Sequence, residues 1–193
     1  MSIPKFNPRG LVLCIFIFAI GVVRILISPG KDFSPFSNFT PLAAMALFGG
    51  AYFSNNYKAF GWPLLSLFIT DVVLSLTVFK AYSNGLLYSG WYWTYGAFAL
   101  MTLTGKFLIK KINTKNIVVA SVICVFIHWL ITDFGVWLQG TMYPKTFAGY
   151  LLCLTAAIPY AVAFLAGTLL YSAILFGLFN WMQNRYPFLQ ISK

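Results

Sequence analysis

Long apolar stretches alternate with short polar breaks along the whole chain. Six apolar stretches, at about 10–28, 39–53, 61–79, 86–109, 117–139 and 157–182, are separated by runs rich in Pro, Gly, Ser, Asn and Lys. About 20 mostly apolar residues cross a bilayer as a helix. The pattern therefore predicts an all-α membrane protein, a six-transmembrane-helix bundle forming one integral membrane domain over 1–193. The second stretch is short and dense in small residues: Ala43, Ala44, Ala46, Gly49, Gly50 and Ala51. Such residues let helix backbones approach closely, and Ala46 and Gly50 form a small-xxx-small pair. Its entry, Asn38-Phe39-Thr40-Pro41, reads as a helix start. Residues 147–157 are apolar but too short to cross. Three courses are open to them: lying in the interface, dipping in and returning, or extending the last helix past Pro159.

Composition sharpens the membrane reading. The chain is 60% hydrophobic and 8% charged, against about 25% charged residues in soluble domains. Its net charge of +10 does not point to nucleic acid, because the cations sit at segment ends and form no patch. Their distribution instead sets orientation. With the N-terminus inside, Lys5, Arg9, Lys58, Lys106, Lys110, Lys111, Lys115, Arg185 and Lys193 fall on the inner side. Lys31, Lys80 and Lys145 fall on the outer side, and Arg24 lies within the first span. Both termini are thus expected in the cytoplasm. Lys5 and Arg9 precede the first apolar run without a small-x-small cleavage site, which reads as an uncleaved span. The three cysteines lie in apolar runs and read as buried thiols.

Against this background the polar intramembrane residues stand out. Ionisable groups at that depth cost about 2.5–3.5 kcal/mol and normally face a bundle interior or a wet cavity. The fifth stretch carries the only histidine, His128, and one of three acidic residues, Asp133. Trp129, Asp133 and Trp137 fall at i, i+4 and i+8, on one helical face. Asp71 lies near the middle of the third span and Arg24 in the outer part of the first. Asn38 and Thr40 mark the mouth of the second, and Trp91 and Trp93 the outer end of the fourth. Together they predict an outward-opening pocket that binds a small solute: the tryptophans stack its ring, while Asn38, Thr40, Asp71, His128 and Asp133 hold its polar groups. Each residue also has a structural reading. Arg24 pairs with an Asp to join two spans, His128 donates to a neighbouring carbonyl, and the tryptophans anchor at the interface. A catalytic reading finds little: no HExxH, no glutamate, no P-loop, and no Cys/His set at zinc spacing. Ser89-Gly90 alone is a weak serine-hydrolase signal. No enzyme activity, cofactor or metal is expected.

Several segments carry a family resemblance. They are Asn38-Phe39-Thr40-Pro41 leading into Ala46-Leu47-Phe48-Gly49-Gly50-Ala51-Tyr52-Phe53, the Asp71 segment LLSLFITDVVLS, Thr132 to Leu138, Tyr143-Pro144-Lys145-Thr146 through Ala157-Ile158-Pro159, and Gly167 to Tyr171. The chain resembles the substrate-binding S-component superfamily of energy-coupling factor (ECF) vitamin transporters, and more narrowly a bacterial family of uncharacterised transport proteins. The resemblance implies a six-helix bundle in a bacterial cytoplasmic (inner) membrane that captures a vitamin-like micronutrient on the outer side. It also implies an ECF-type transmembrane coupling subunit and ATPases as partners beside the lipid bilayer. The reading from another class is a non-transport accessory or scaffold subunit of a larger membrane complex, docked through the small-residue face of the second stretch.

Overall fold

The computed structural model describes residues 8–28, 34–80 and 85–190. Among them every regular element is helical: α1 (Pro8–Leu26), α2 (Leu42–Tyr52), α3 (Asn56–Leu76), α4 (Trp91–Leu108), α5 (Thr114–Gln139) and α6 (Phe147–Arg185). Short 3-10 turns at Pro35–Asn38 and Pro187–Leu189 complete the set. Lys5, Lys31, Ser83-Asn84 and Lys193 lie outside the described residues. Four segments are long and apolar enough to cross a membrane: Pro8–Leu26, Asn56–Leu76, Thr114–Gln139 and Ile158–Arg185. The chain is therefore a helical membrane protein with four such helices among the described residues, and α2 and α4 fall outside that set.

The two departures have local causes. In α4 the polar aromatics and threonines of its 18 residues dilute the apolar character. It begins at Trp91, later than the pattern predicted, because Gly90 turns the chain with φ +77°, a conformation that suits glycine. In α2 there are only 11 residues, about 16 Å of helix and about half of a 30 Å hydrocarbon core. It sits at the centre of the bundle, with ten of its residues buried. The small residues do what the sequence predicted of them. A Cβ at Gly50 would lie 2.1 Å from the Thr102 carbonyl oxygen of α4, and one at Gly105 would lie 2.5 Å from the Leu47 carbonyl oxygen. Gly49 makes room for the ring of Pro63 in α3. Around this seam Phe48 packs within 6 Å, centroid to centroid, of Phe16, Tyr52, Phe176 and Phe179.

Residues 147–157 take the third course left open above. They belong to α6, one continuous helix of 39 residues that runs through Pro159. That is about 58 Å of helix. Its start is fixed by Thr146, whose Oγ1 accepts the Gly149 N–H at 3.2 Å. Proline forfeits one backbone hydrogen bond, which membrane helices tolerate. Thr146→Ala is expected to lower stability by about 1 kcal/mol. Hydrogen exchange should quicken at 147–150 alone, and unchanged protection there would remove the capping role.

Two ends of the bundle can be told apart. At one, Arg9 lies 6.0 Å over the Tyr52 ring, and Lys106 Nζ donates to the Ser54 carbonyl and to Asn56. At the other, Gln139 donates to the Tyr92 hydroxyl. There Lys145 Nζ caps the end of α5 by donating to the carbonyls of Trp137, Leu138 and Gly140. Cys14, Cys124 and Cys153 are all free thiols, two of them buried.

Candidate functional site

The polar groups gather at the end marked by Tyr92 and Gln139, and the α1–α3 seam builds the first part. Gly21 of α1 lets α3 approach so closely that a Cβ there would lie 2.6 Å from Ser66 Oγ. Ser66 donates to the Ile17 carbonyl at 3.3 Å. One turn further, Arg24 Nη2 pairs with Asp71 Oδ1 at 2.6 Å, the one ion pair among the described residues. Arg24 Nη1 donates to Thr70 Oγ1 at 2.6 Å, and Thr70 in turn donates to the Leu67 carbonyl at 2.9 Å. Asp71 is 1% exposed and Arg24 15%. The phenols of Tyr88 and Tyr95 face the same carboxylate. Burial and that carboxylate push the Tyr88 phenol above its ordinary value, so it stays a neutral donor. Asp71 Oδ2 and Tyr95 Oη are buried without a hydrogen-bond partner of good geometry.

The α4 aromatics extend this cluster toward α5. Trp91 packs edge-on against Tyr95 at 5.1 Å, which ties it to the Asp71 cluster. Trp93 turns the other way. Its ring lies against Phe134 at 5.4 Å and over Gly135, where a Cβ would meet Cδ1 at 2.4 Å. Its Nε1 is buried without a partner.

The face shared by Trp129, Asp133 and Trp137 is the seam with α6. Trp129 Nε1 donates to the Leu154 carbonyl at 3.1 Å. The Asp133 carbonyl accepts from Cys153 Sγ at 3.6 Å. Trp137 Nε1 donates to the Pro144 carbonyl at 2.8 Å, and Lys145 Nζ lies 5.6 Å over its ring. The half-buried Asp133 carboxylate has no basic partner among the described residues. His128 stacks on Phe164 of α6 at 4.3 Å. The fifth-helix residues thus line the α5–α6 contact, apart from the Arg24–Asp71 pair.

Asn38 ends the first 3-10 turn, and Thr40 follows at the N-terminus of α2, against α6. Gly167 brings α6 so near that a Cβ would lie 2.8 Å from Thr40 N. Phe39 packs on Tyr171 at 5.8 Å. Thr40 Oγ1, Thr168 Oγ1 and Ser172 Oγ are all buried without a partner.

The structure therefore brings together Arg24, Asp71 and Trp91 through Tyr95. It sets Trp93 between α4 and α5, and places Asn38 and Thr40 beside α6. Sequence reasoning passed over Tyr88, Thr168 and Ser172. The spacing of the last two, i and i+4 within an apolar run, was the signal available for them. Among the described residues no three His, Cys or acidic side chains gather closely enough to hold a metal ion.

A family model described as a family of unknown function (DUF6580) matches residues 4–189. The chain belongs to that family. No curated protein and no solved structure matches it.

Proposed function

We propose that the protein is a membrane-embedded substrate-binding and uptake protein for a small vitamin-like or heterocyclic solute. On this reading both termini are cytoplasmic, and the end bearing Trp91, Gln139 and Lys145 faces outward. Segment 34–52 completes a sixth crossing as a turn followed by a half-length helix. The grouping of Arg9, Lys58, Lys106 and Arg185 away from Lys145 supports this orientation. The resemblance to S-components adds a separate ECF-type coupling subunit and ATPases as the energising partners.

One observation carries the reading. Asp71 Oδ2, Tyr95 Oη and Trp93 Nε1 are buried at one end of the bundle without a hydrogen bond of good geometry, although the Tyr95 phenol faces the Asp71 carboxylate. The large majority of buried side-chain polar atoms in native proteins are paired. A carboxylate oxygen, a phenol and an indole N–H among aromatic walls suit a flat, polar solute.

Mass spectrometry of the purified protein is expected to find such a solute bound. Tyr95→Phe should weaken its retention about 3- to 10-fold, the equivalent of one ordinary hydrogen bond. Because the hydroxyl only faces the Asp71 carboxylate and makes no hydrogen bond of good geometry inside the protein, the same change should leave stability without solute nearly unchanged. Protein that carries no solute, and that Tyr95→Phe destabilises, would sink the proposal.

The scaffold reading draws on a different feature, an apolar furrow of about 180 Å³ between α5 and α6 lined by Val122, Phe126, Trp129, Ile158 and Val162. A stoichiometric partner recovered without ATPase subunits would favour it.

A further inference from the structure

We propose that the first turn of α2, with the hydroxyls of Thr40, Thr168 and Ser172, is a site for an oxyanion, and that it receives the carboxylate of the solute. That the carboxylate belongs to a transported solute rests on the uptake reading above; the site itself does not.

The first N–H groups of a helix have no partner within the helix. In three helices of this bundle a side chain supplies one, while the exposed start of α4, at Gly90, has none. Asn55 caps α3, Asn113 caps α5 and Thr146 caps α6. The N-cap of α2 is Pro41, and no side chain caps it. Its first residues are also shut away from water: Leu42 is 4% exposed, Ala43 and Ala44 0%. Three backbone donors therefore point out of a buried helix end.

A second observation points to the same place. Thr168 and Ser172 are 0% exposed, and their hydroxyls have no partner. Hydroxyls in apolar helices commonly bond back to the carbonyl four residues earlier. Thr102, Thr104, Ser121, Thr132 and Thr155 all do so. Thr168 and Ser172 make no such bond. Their direction follows from helical register. Residues 168, 172, 176 and 179 lie on one stripe of α6, and Phe176 and Phe179 of that stripe pack on Phe48 and Tyr52 of α2. Gly167 presses on the Thr40 backbone. The two helices thus run side by side from Thr40 to Tyr52, which sets Thr168 and Ser172 along the first turn of α2.

The three hydroxyls and the free amides of the first turn can all donate, and neither α2 nor α6 contains Asp or Glu. A helix N-terminus carries about half a positive charge and takes anions readily. Half-helices whose N-termini face anionic groups of a solute are an established device of membrane transport. A carboxylate fits, since it accepts from several donors at once. A cation does not.

The test uses the full chain in detergent micelles. Benzoate and its uncharged isostere benzamide are titrated while the thermal unfolding midpoint is read. Benzoate should raise the midpoint and benzamide should not. The double variant T168V/S172A, with unchanged circular dichroism, should bind benzoate at least about tenfold more weakly, as loss of hydrogen bonds to a charged group implies. Thr40→Val, which leaves α6 intact, serves if the double variant does not fold. Equal responses to the two probes overturn the site, as does a benzoate response that survives both substitutions. A native ligand without any anionic oxygen overturns this site and leaves the uptake reading in place. A benzoate response that the variants abolish, in protein that carries no native solute, upholds the site while counting against uptake.

Discussion

Replacing Arg24 with leucine is expected to destabilise the protein by about 3–5 kcal/mol, the usual result of removing one partner from a buried ion pair. Asp71 is 1% exposed and 2.6 Å from the guanidinium. Without Arg24 its carboxylate keeps only the phenols of Tyr88 and Tyr95. The reverse change, Asp71→Leu, should do less damage, because Arg24 is 15% exposed and can turn its head group outward. The double variant R24L/D71L should recover most of the stability, since a buried pair replaced by packed apolar groups is often neutral. Thermal midpoints of the three variants in nanodiscs decide the matter. An Arg24→Leu protein as stable as the parent would mean that the pair is solvated. A double variant that is stable yet no longer retains a solute would show the pair to be kept for binding.

Gly50→Ala should be strongly damaging, at about 3 kcal/mol or more, the upper range for overpacking. The added methyl would stand 2.1 Å from the Thr102 carbonyl oxygen and 2.9 Å from the Lys106 nitrogen. Both are backbone atoms of α4, so no side chain can swing aside. Relief requires α2 and α4 to part, and α2 is the centre of the bundle. The internal control is Gly177→Ala, where nothing lies within 4 Å of the new methyl. That substitution should raise stability by about 0.5–1 kcal/mol through helix propensity. Yield of monodisperse protein and thermal midpoint serve for both. Similar behaviour of the two variants would show that α2 and α4 are not in contact.

The two substitutions probe features of unequal legibility. Close packing at Ala46 and Gly50 was readable because small residues four apart in an apolar run have one common use. That Arg24 takes Asp71 rather than Asp133 was not readable, because both carboxylates lie in apolar helices at plausible depths. The choice falls to Gly21, which draws α1 against α3 and not against α5. Likewise the face of Trp129, Asp133 and Trp137 was correct as a face. What it meets, the carbonyls of Leu154 and Pro144 and the thiol of Cys153, depends on residues 147–157 being the start of α6. Three courses were open to that segment from its composition, and tertiary contact with α5 goes with only one of them. Tyr88 escaped notice because a tyrosine in a loop beside an aromatic cluster looks like one more interfacial anchor.

By itself the sequence determined that the chain is a helical membrane protein, where five of its helices fall to within about five residues, and which polar side chains are costly enough to need a partner. Those are properties of local composition and of transfer from water to lipid, and they need no neighbour to define them. Only the tertiary structure decided that α2 is a buried half-length helix, that Arg24 and Asp71 are paired, and that Gly167 of α6 is brought against Thr40 at the uncapped start of α2. The physical reason is that pairing depends on which glycines let which backbones approach and on how helices are rotated against one another. That information lies in contacts between residues far apart in the chain.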